Sequence, residues 1–159
     1  MAEIELRYDR LGSRLVGIGS VPLTYDRLGS RARRLDHLDL EYDMLGSRLR
    51  SIGANVIEYD RLGSRPRTLG SWQIRYDRLG SRLRRVGPYE LTYRRLGSRV
   101  QTIGPMRLRY GRLRSRAERV DLPAEVGLTE ELLTALFFVL DFVEREEEEE
   151  KTRRRRLAD

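Results

Sequence analysis

The residues able to do chemistry recur at a fixed interval, and that interval argues against most of the chemistry. Gly-Ser-Arg appears at 12–14, 29–31, 46–48, 63–65, 80–82 and 97–99. A serine nucleophile on a strained elbow needs Gly-x-Ser-x-Gly and a triad histidine elsewhere. Here Ser follows Gly directly and Arg comes next, which is the composition of a turn. His37 is the only histidine. It stands with Asp36 where other copies carry Gly and a small residue, so it reads as turn filler. Asp9, Asp26, Asp43, Asp60 and Asp77 form a repeated set, with Arg beside each except at Met44. A calcium site wants clustered oxygen ligands without adjacent guanidinium charge. The chain has no Cys, which excludes disulfides and thiolate zinc sites. The sequence therefore offers no catalytic residue, no cofactor-binding residue and no metal ligand, and the expectation is a non-enzymatic protein.

What remains is arginine. Lys151 is the only lysine, so 31 of the 32 basic residues are Arg. Residues 1–120 hold 26 Arg against 13 acids, and residues 121–159 hold 6 basic residues against 12 acids. A basic body with an acidic tail points to polyanion binding, self-neutralisation or both. Guanidinium groups in regular rows suit phosphate. The candidate anion-binding set is Arg10, Arg14, Arg27, Arg31, Arg48, Arg61, Arg65, Arg78, Arg82, Arg95 and Arg99.

The elements that position these residues follow from the repeat. Tyr8, Tyr25, Tyr42, Tyr59, Tyr76, Tyr93 and Tyr110 each fall 17 residues after the last. Seven copies in register define an internal repeat. Each copy opens on an apolar/polar alternation such as Leu38-Asp39-Leu40-Glu41-Tyr42, the pattern of a strand with one buried face. The tyrosine row lies on that face and reads as core, not as a stacking surface. Asp-Arg-Leu-Gly then starts and ends a turn. A return strand follows, and Gly with Ser, Ala or Pro makes a two-residue type II′ connection to the next copy. A four-residue Asp-Arg-Leu-Gly loop sets Tyr8 against Ser13 and Leu6 against Leu15, with Glu41 and Glu58 opposite Arg48 and Arg65. The three-residue gap between apolar positions, as from Leu15 to Ile18, requires a β-bulge near Val16-Gly17 in every return strand.

Fourteen strands in a meander leave an apolar face and two open edges, which must be covered. Residues 121–128 form a linker. Thr129 is an N-cap, with Glu130 and Glu131 at the positive end of the helix dipole. Leu132 to Val143 is apolar on nearly every side, as in a helix enclosed by protein, yet shorter than the roughly 20 residues that cross a bilayer. The expected fold is mainly β with one C-terminal helix. An antiparallel barrel of about 14 strands over 1–120, of radius roughly 13–14 Å, closes around a central helix over 129–145. The loop leucines (Leu11, Leu28, Leu45, Leu62, Leu79, Leu96, Leu113) cap one end. Asp141 is expected to bond to the inward Tyr and Ser hydroxyls. Residues 146–159 form a charged helical extension or a disordered tail, with i,i+4 pairs such as Glu150/Arg154.

The unit Tyr-Asp-x-x-Gly, followed closely by Arg and an apolar residue, resembles the YD repeats of RHS-type proteins. That resemblance covers residues 1–120 and implies serial hairpins; the shell function of that family is not carried over. The architecture is similar to the tubby and LURP-one barrels around a central helix, an analogy of fold that gives no function. The start, Met1-Ala2-Glu3-Ile4-Glu5, has neither a basic nor an apolar leader region, so a cytoplasmic protein without membrane insertion is expected. The functional expectation is a structural, scaffold or protein-interaction protein, with a protein partner or self-association. The alternative is binding of nucleic acid or another polyanion through the Arg-rich outer face, restrained by the acidic tail.

Overall fold

The structure is a computed structural model, and it describes residues 2–10, 14–26, 31–43, 48–61, 65–78, 82–95, 99–111 and 116–158. The expected leucine cap at one barrel end lies outside the described residues. Fourteen strands and one helix follow each other along the chain. They are β1 Ala2–Tyr8, β2 Leu15–Ile18, β3 Val21–Tyr25, β4 Ala32–Leu35, β5 Leu38–Tyr42, β6 Leu49–Ile52, β7 Asn55–Tyr59, β8 Pro66–Leu69, β9 Trp72–Tyr76, β10 Leu83–Val86, β11 Tyr89–Tyr93, β12 Val100–Ile103, β13 Met106–Tyr110, β14 Ala117–Leu122 and α1 Glu130–Ala158. The chain divides into two compact units, 1–127 and 128–159.

The first unit is a closed antiparallel barrel in which every strand pairs with its neighbours in sequence. β1 closes on β14 through Ala2↔Leu122, Glu3↔Asp121, Ile4↔Val120 and Glu5↔Arg119, so no edge strand is left. Alternation does what the sequence requires. Leu6, Leu23, Leu40, Ile57, Ile74, Leu91 and Leu108 are buried at equivalent positions, while the residues on either side of each are exposed.

The register inside each hairpin differs from the four-residue loop expected. Tyr8 pairs with Leu15, Arg7 with Gly17 and Leu6 with Ile18. The loop therefore spans 9–14, and the Asp9 N–H donates to the Arg14 carbonyl at 2.9 Å; the same closing bond recurs from Asp43, Asp60, Asp77 and Arg94. Both registers bury apolar side chains, so burial alone does not choose between them. The six-residue loop adds this main-chain bond and lets the Asp9 carboxylate hold the Arg14 side chain at 3.1 Å. As a consequence Glu41 faces Ser51 and Glu58 faces Thr68, not Arg48 and Arg65. The expected bulge is present in every return strand. One residue, Val16 in the first, is skipped between the two pairs that flank it.

Moving from one hairpin to the next shifts the register by two residues, since Leu6 pairs with Ile18 and Ile18 with Val21, whereas the repeat equivalent of Leu6 is Leu23. Seven hairpins accumulate a shear of about 14, which for 14 strands means a tilt near 37° and a radius of about 12 Å. Short turns make this step. Gly19, Gly53, Gly70, Gly87 and Gly104 hold φ between 55° and 60°, and no following residue has positive φ. That is the type II′ signature, and it accepts Pro88 and Pro105 at the second position. Asp36 adopts the same conformation with φ 55° although it carries a side chain.

The second unit is one continuous helix of 29 residues. The Leu132 N–H donates to the Thr129 hydroxyl at 3.2 Å, the N-cap bond expected from sequence. Leu132 to Val139 are buried on every side, and Phe138 stacks with Phe142. From Glu146 to Ala158 every residue is exposed, and Arg154 bonds Glu150 at 3.0 Å. No helix among the described residues is long and apolar enough to cross a membrane.

The Asp36 turn yields a direct test. A side chain at this backbone conformation costs about 1–3 kcal/mol, and its exposed contact to His37 contributes little in return. Asp36→Gly is expected to stabilise the protein by about 1 kcal/mol, raising Tm by about 2–4 °C. Gly87→Ala, which imposes the same fault on a sound turn, should lower Tm in the same thermal melt.

Candidate functional site

The repeated polar residues meet at the loop end of each hairpin, where main-chain pairing between hairpins runs out. Successive hairpins are joined by only two residue pairs beside the short turn, such as Gly17↔Pro22 and Ile18↔Val21. Toward the loop the bulged strand leaves the ladder, and its first carbonyl needs another donor. Tyrosine supplies it. The Tyr25 hydroxyl donates to the Leu15 carbonyl, Tyr42 to Ala32, Tyr59 to Leu49, Tyr76 to Pro66, Tyr93 to Leu83 and Tyr110 to Val100. Tyr8 donates to Ala117 and completes the ring, with all seven distances between 2.5 and 2.9 Å.

Arginine occupies the other side of each ring. Arg14 lies over Tyr25, Arg31 over Tyr42, Arg48 over Tyr59, Arg65 over Tyr76, Arg82 over Tyr93, Arg99 over Tyr110 and Arg116 over Tyr8. The guanidinium stands 3.7 Å from the ring centroid at Tyr76 and 5.2 Å at Tyr8 and Tyr110, within cation–π range. Arg14, Arg48 and Arg82 also bond Asp9, Asp43 and Asp77 at 3.0–3.1 Å. Each hairpin thus reaches across to the next through a guanidinium, a phenol and a carbonyl, and the carboxylates of Asp9, Asp43 and Asp77 hold the guanidinium in their hairpins.

This arrangement divides the arginines read from sequence. Arg14, Arg31, Arg48, Arg65, Arg82 and Arg99 are engaged on tyrosine rings. Arg10, Arg61, Arg78 and Arg95 are exposed in the loops, and Arg27 lies outside the described residues. The sequence reading passed over a third group: Arg33, Arg50, Arg67 and Arg84 occupy the bulge position of four consecutive return strands and are exposed. Its signal was present, since an Arg follows the first return-strand residue in those four copies. Arg33 bonds Asp26, which raises its pKa further above the ordinary arginine value. Arg67 stands 3.8 Å from Glu58.

The tyrosines are half-buried, and each spends its single hydroxyl proton on a main-chain carbonyl. The serines expected to join them in bonding Asp141 lie outside the described residues. The Asp141 carboxylate stands 3.7 Å from Arg145, one helical turn on. Burial raises its pKa to about 6, Arg145 opposes the shift and Glu144 adds to it. A carboxyl whose folded pKa lies above its unfolded one contributes stability below the unfolded value, and that contribution is lost as pH rises through the folded value. At neutral pH Asp141 is therefore a net cost, at most about 2–3 kcal/mol for a side chain that is about one-fifth exposed.

His37 is exposed beside Asp36, with Nδ1 and the carboxylate 3.2 Å apart, and no cluster of three or more His, Cys, Asp or Glu residues suited to a metal occurs among the described residues. A surface groove of about 800 Å³ lies at the β14–β1–β2 seam, lined by residues including Glu3, Glu5, Arg7, Val16, Glu118 and Arg119. Arg7 reaches over Gly17 there and bonds the Gly19 carbonyl at 3.0 Å.

Tyr76→Phe is expected to cost about 1 kcal/mol by urea melting, the worth of one hydrogen bond. Tyr76→Leu, which also removes the ring beneath Arg65, should cost more. Asp141→Asn is expected to raise Tm at pH 7, to change it little near pH 4, and to flatten the stability profile between about pH 4 and 6. A profile that keeps its slope would assign that titration elsewhere. Comparison of the chain with protein-family models, curated proteins and solved structures finds no match.

Proposed function

We propose that the chain is a non-enzymatic structural and interaction protein, a barrel that acts by presenting a surface. The observation that supports this most is the use made of the repeat's reactive groups. A catalytic centre brings a nucleophile, a base and a charge stabiliser to bear on one substrate position. Here the phenols and guanidiniums of each hairpin bear on the neighbouring hairpin instead, and the carboxylates of Asp9, Asp43 and Asp77 hold the guanidiniums of their own hairpins. Copying such a contact set around a ring strengthens a scaffold and creates no unique site.

Self-association is the favoured mode. The exposed half of α1 carries Glu146–Glu150 followed by Lys151 and Arg153–Arg156. Two such helices laid antiparallel bring the acidic block of each copy against the basic block of the other. Exposed ion pairs contribute about 0–1 kcal/mol each and are screened by salt, so the association is concentration- and salt-dependent. Sedimentation velocity of the full chain over a concentration series tests this. Assembly at low salt that dissolves at high salt is the expected outcome, and a monomer throughout at low salt would turn the search to other protein partners.

A second reading, polyanion binding through the arginine-rich outer face, is favoured by the exposed loop and bulge arginines described above. Their guanidiniums recur at every second strand, roughly 10 Å apart, a spacing that addresses a polymer better than a small ligand.

A further inference from the structure

Because every strand pairs with its sequence neighbours, the order of residues along the chain is also their order around the barrel. Composition by segment then becomes a map of charge by sector. Residues 2–59, through β7, hold 9 Arg and 9 acids. Residues 60–120, which contain β8 to β13 and most of β14, hold 17 Arg and 4 acids. The whole +13 of residues 1–120 thus belongs to one contiguous half of the circumference, while the other half is neutral.

The excess has two structural sources. The loop acid is lost twice, where Arg94 and Gly111 take the place of Asp, and Arg94 joins Arg99 over the Tyr110 ring. On the outer strand face, the neutral half balances its charges, as where Arg34 pairs with Asp39 at 3.3 Å. The basic half keeps the equivalent pair, Arg85 with Glu90 at 3.7 Å, but sets Arg75 on the other side of Arg85, where Arg34 has Thr24, with the exposed Arg84 in the bulge beside them. Like charges on facing positions destabilise a sheet, and an anion bound between them reverses the sign of that interaction.

The chemistry favours a phosphate backbone. Guanidinium binds phosphate oxygens in a bidentate fork and is weakly hydrated. The arc spans about 35–40 Å, long enough for several consecutive phosphates. Its repeat tyrosines Tyr76, Tyr93 and Tyr110 lie under guanidiniums, and its other two aromatic side chains, Trp72 and Tyr89, are half-buried edge to face on each other, so the row of free rings on which single strands stack is not offered. A lipid surface fits less well, since peripheral membrane binding adds apolar insertion. The exposed large hydrophobic residues among those described are Val56 and Leu157, and neither lies in the arc.

We propose that the β8–β14 half of the barrel is a face for duplex nucleic acid, engaging the backbone without regard to sequence. This rests on the second reading above and not on self-association. Repeat-equivalent arginines provide the test. Arg78, Arg84 and Arg85 in the basic half match Arg10, Arg50 and Arg34 in the neutral half, each pair at the same position in its hairpin. Anisotropy of a labelled random-sequence DNA duplex is measured against salt for the full chain and for the two triple Arg→Gln variants, which carry the same net charge. The expected result is a loss of about tenfold or more, with a salt slope shallower by about 2–3, for Arg78/Arg84/Arg85→Gln, and a change under about twofold for Arg10/Arg50/Arg34→Gln. If a triple variant melts early, the three single substitutions replace it. Equal losses in both would overturn the sector while leaving polyanion binding in place. No duplex binding by the unaltered chain at low salt would overturn both, and binding of phosphatidylserine vesicles without duplex binding would assign the arc to lipid phosphate.

Discussion

The barrel depends on a hydrogen bond that is not part of any strand ladder: the phenol of one hairpin donating to the first return-strand carbonyl of the hairpin before it. Between successive hairpins pairing is continuous only beside the tight turns, and at the closing seam it runs over the four β1–β14 pairs. Toward the loops the bulge takes the return strand out of register, and a row of carbonyls would be left without donors. The tyrosine is long enough to reach from its own strand to that carbonyl. The guanidinium above the ring then fixes the phenol in place, and in three hairpins the loop aspartate fixes the guanidinium. Seven of these bridges, the last from Tyr8 to Ala117, join the first and last hairpins as they join every other adjacent pair.

The bulge that creates this need also shapes the barrel. Each hairpin advances the register by two residues, and the sum over seven hairpins tilts the strands. A flat sheet of 14 strands would keep its edges; a tilted and twisted one can meet itself. The type II′ turns contribute by matching the strand twist, and Asp36 shows how strongly the position is imposed, because the chain accepts a strained aspartate there and does not change turn type.

Charge follows the same logic at a larger scale. In a meander that closes on itself, a drift in composition along the chain becomes an asymmetry around the axis. The early copies keep their loop aspartates and their strand acids. The last two copies lose the loop aspartate and the strand acids of residues 60–120 fall to Glu90 and Glu118, although the tyrosines and ring arginines persist. The contacts that hold hairpins together are retained in all seven copies, while the outward positions differ between the halves, so structure and surface chemistry are separable in this protein.

Much of this was legible in the sequence. The 17-residue period of tyrosine gave seven hairpins; alternation gave the buried face; Gly before Ser, Ala or Pro gave the turn type; the gap from Leu15 to Ile18 gave the bulge; and Thr129 gave the helix start. These are local properties, set by backbone sterics and by which side chains share a face. Loop length was not legible, because both registers bury apolar residues, and the choice rests on a main-chain bond from Asp9 to Arg14 and on where the phenol can reach. Nor was the role of the arginines. A repeated Arg beside a repeated Tyr looks like surface charge until closure places each one over the ring of the next hairpin. Which arginines face a ligand and which serve the fold is a question about neighbours that are distant in the chain, as Tyr8 and Arg116 are, and only the tertiary structure brings those neighbours together.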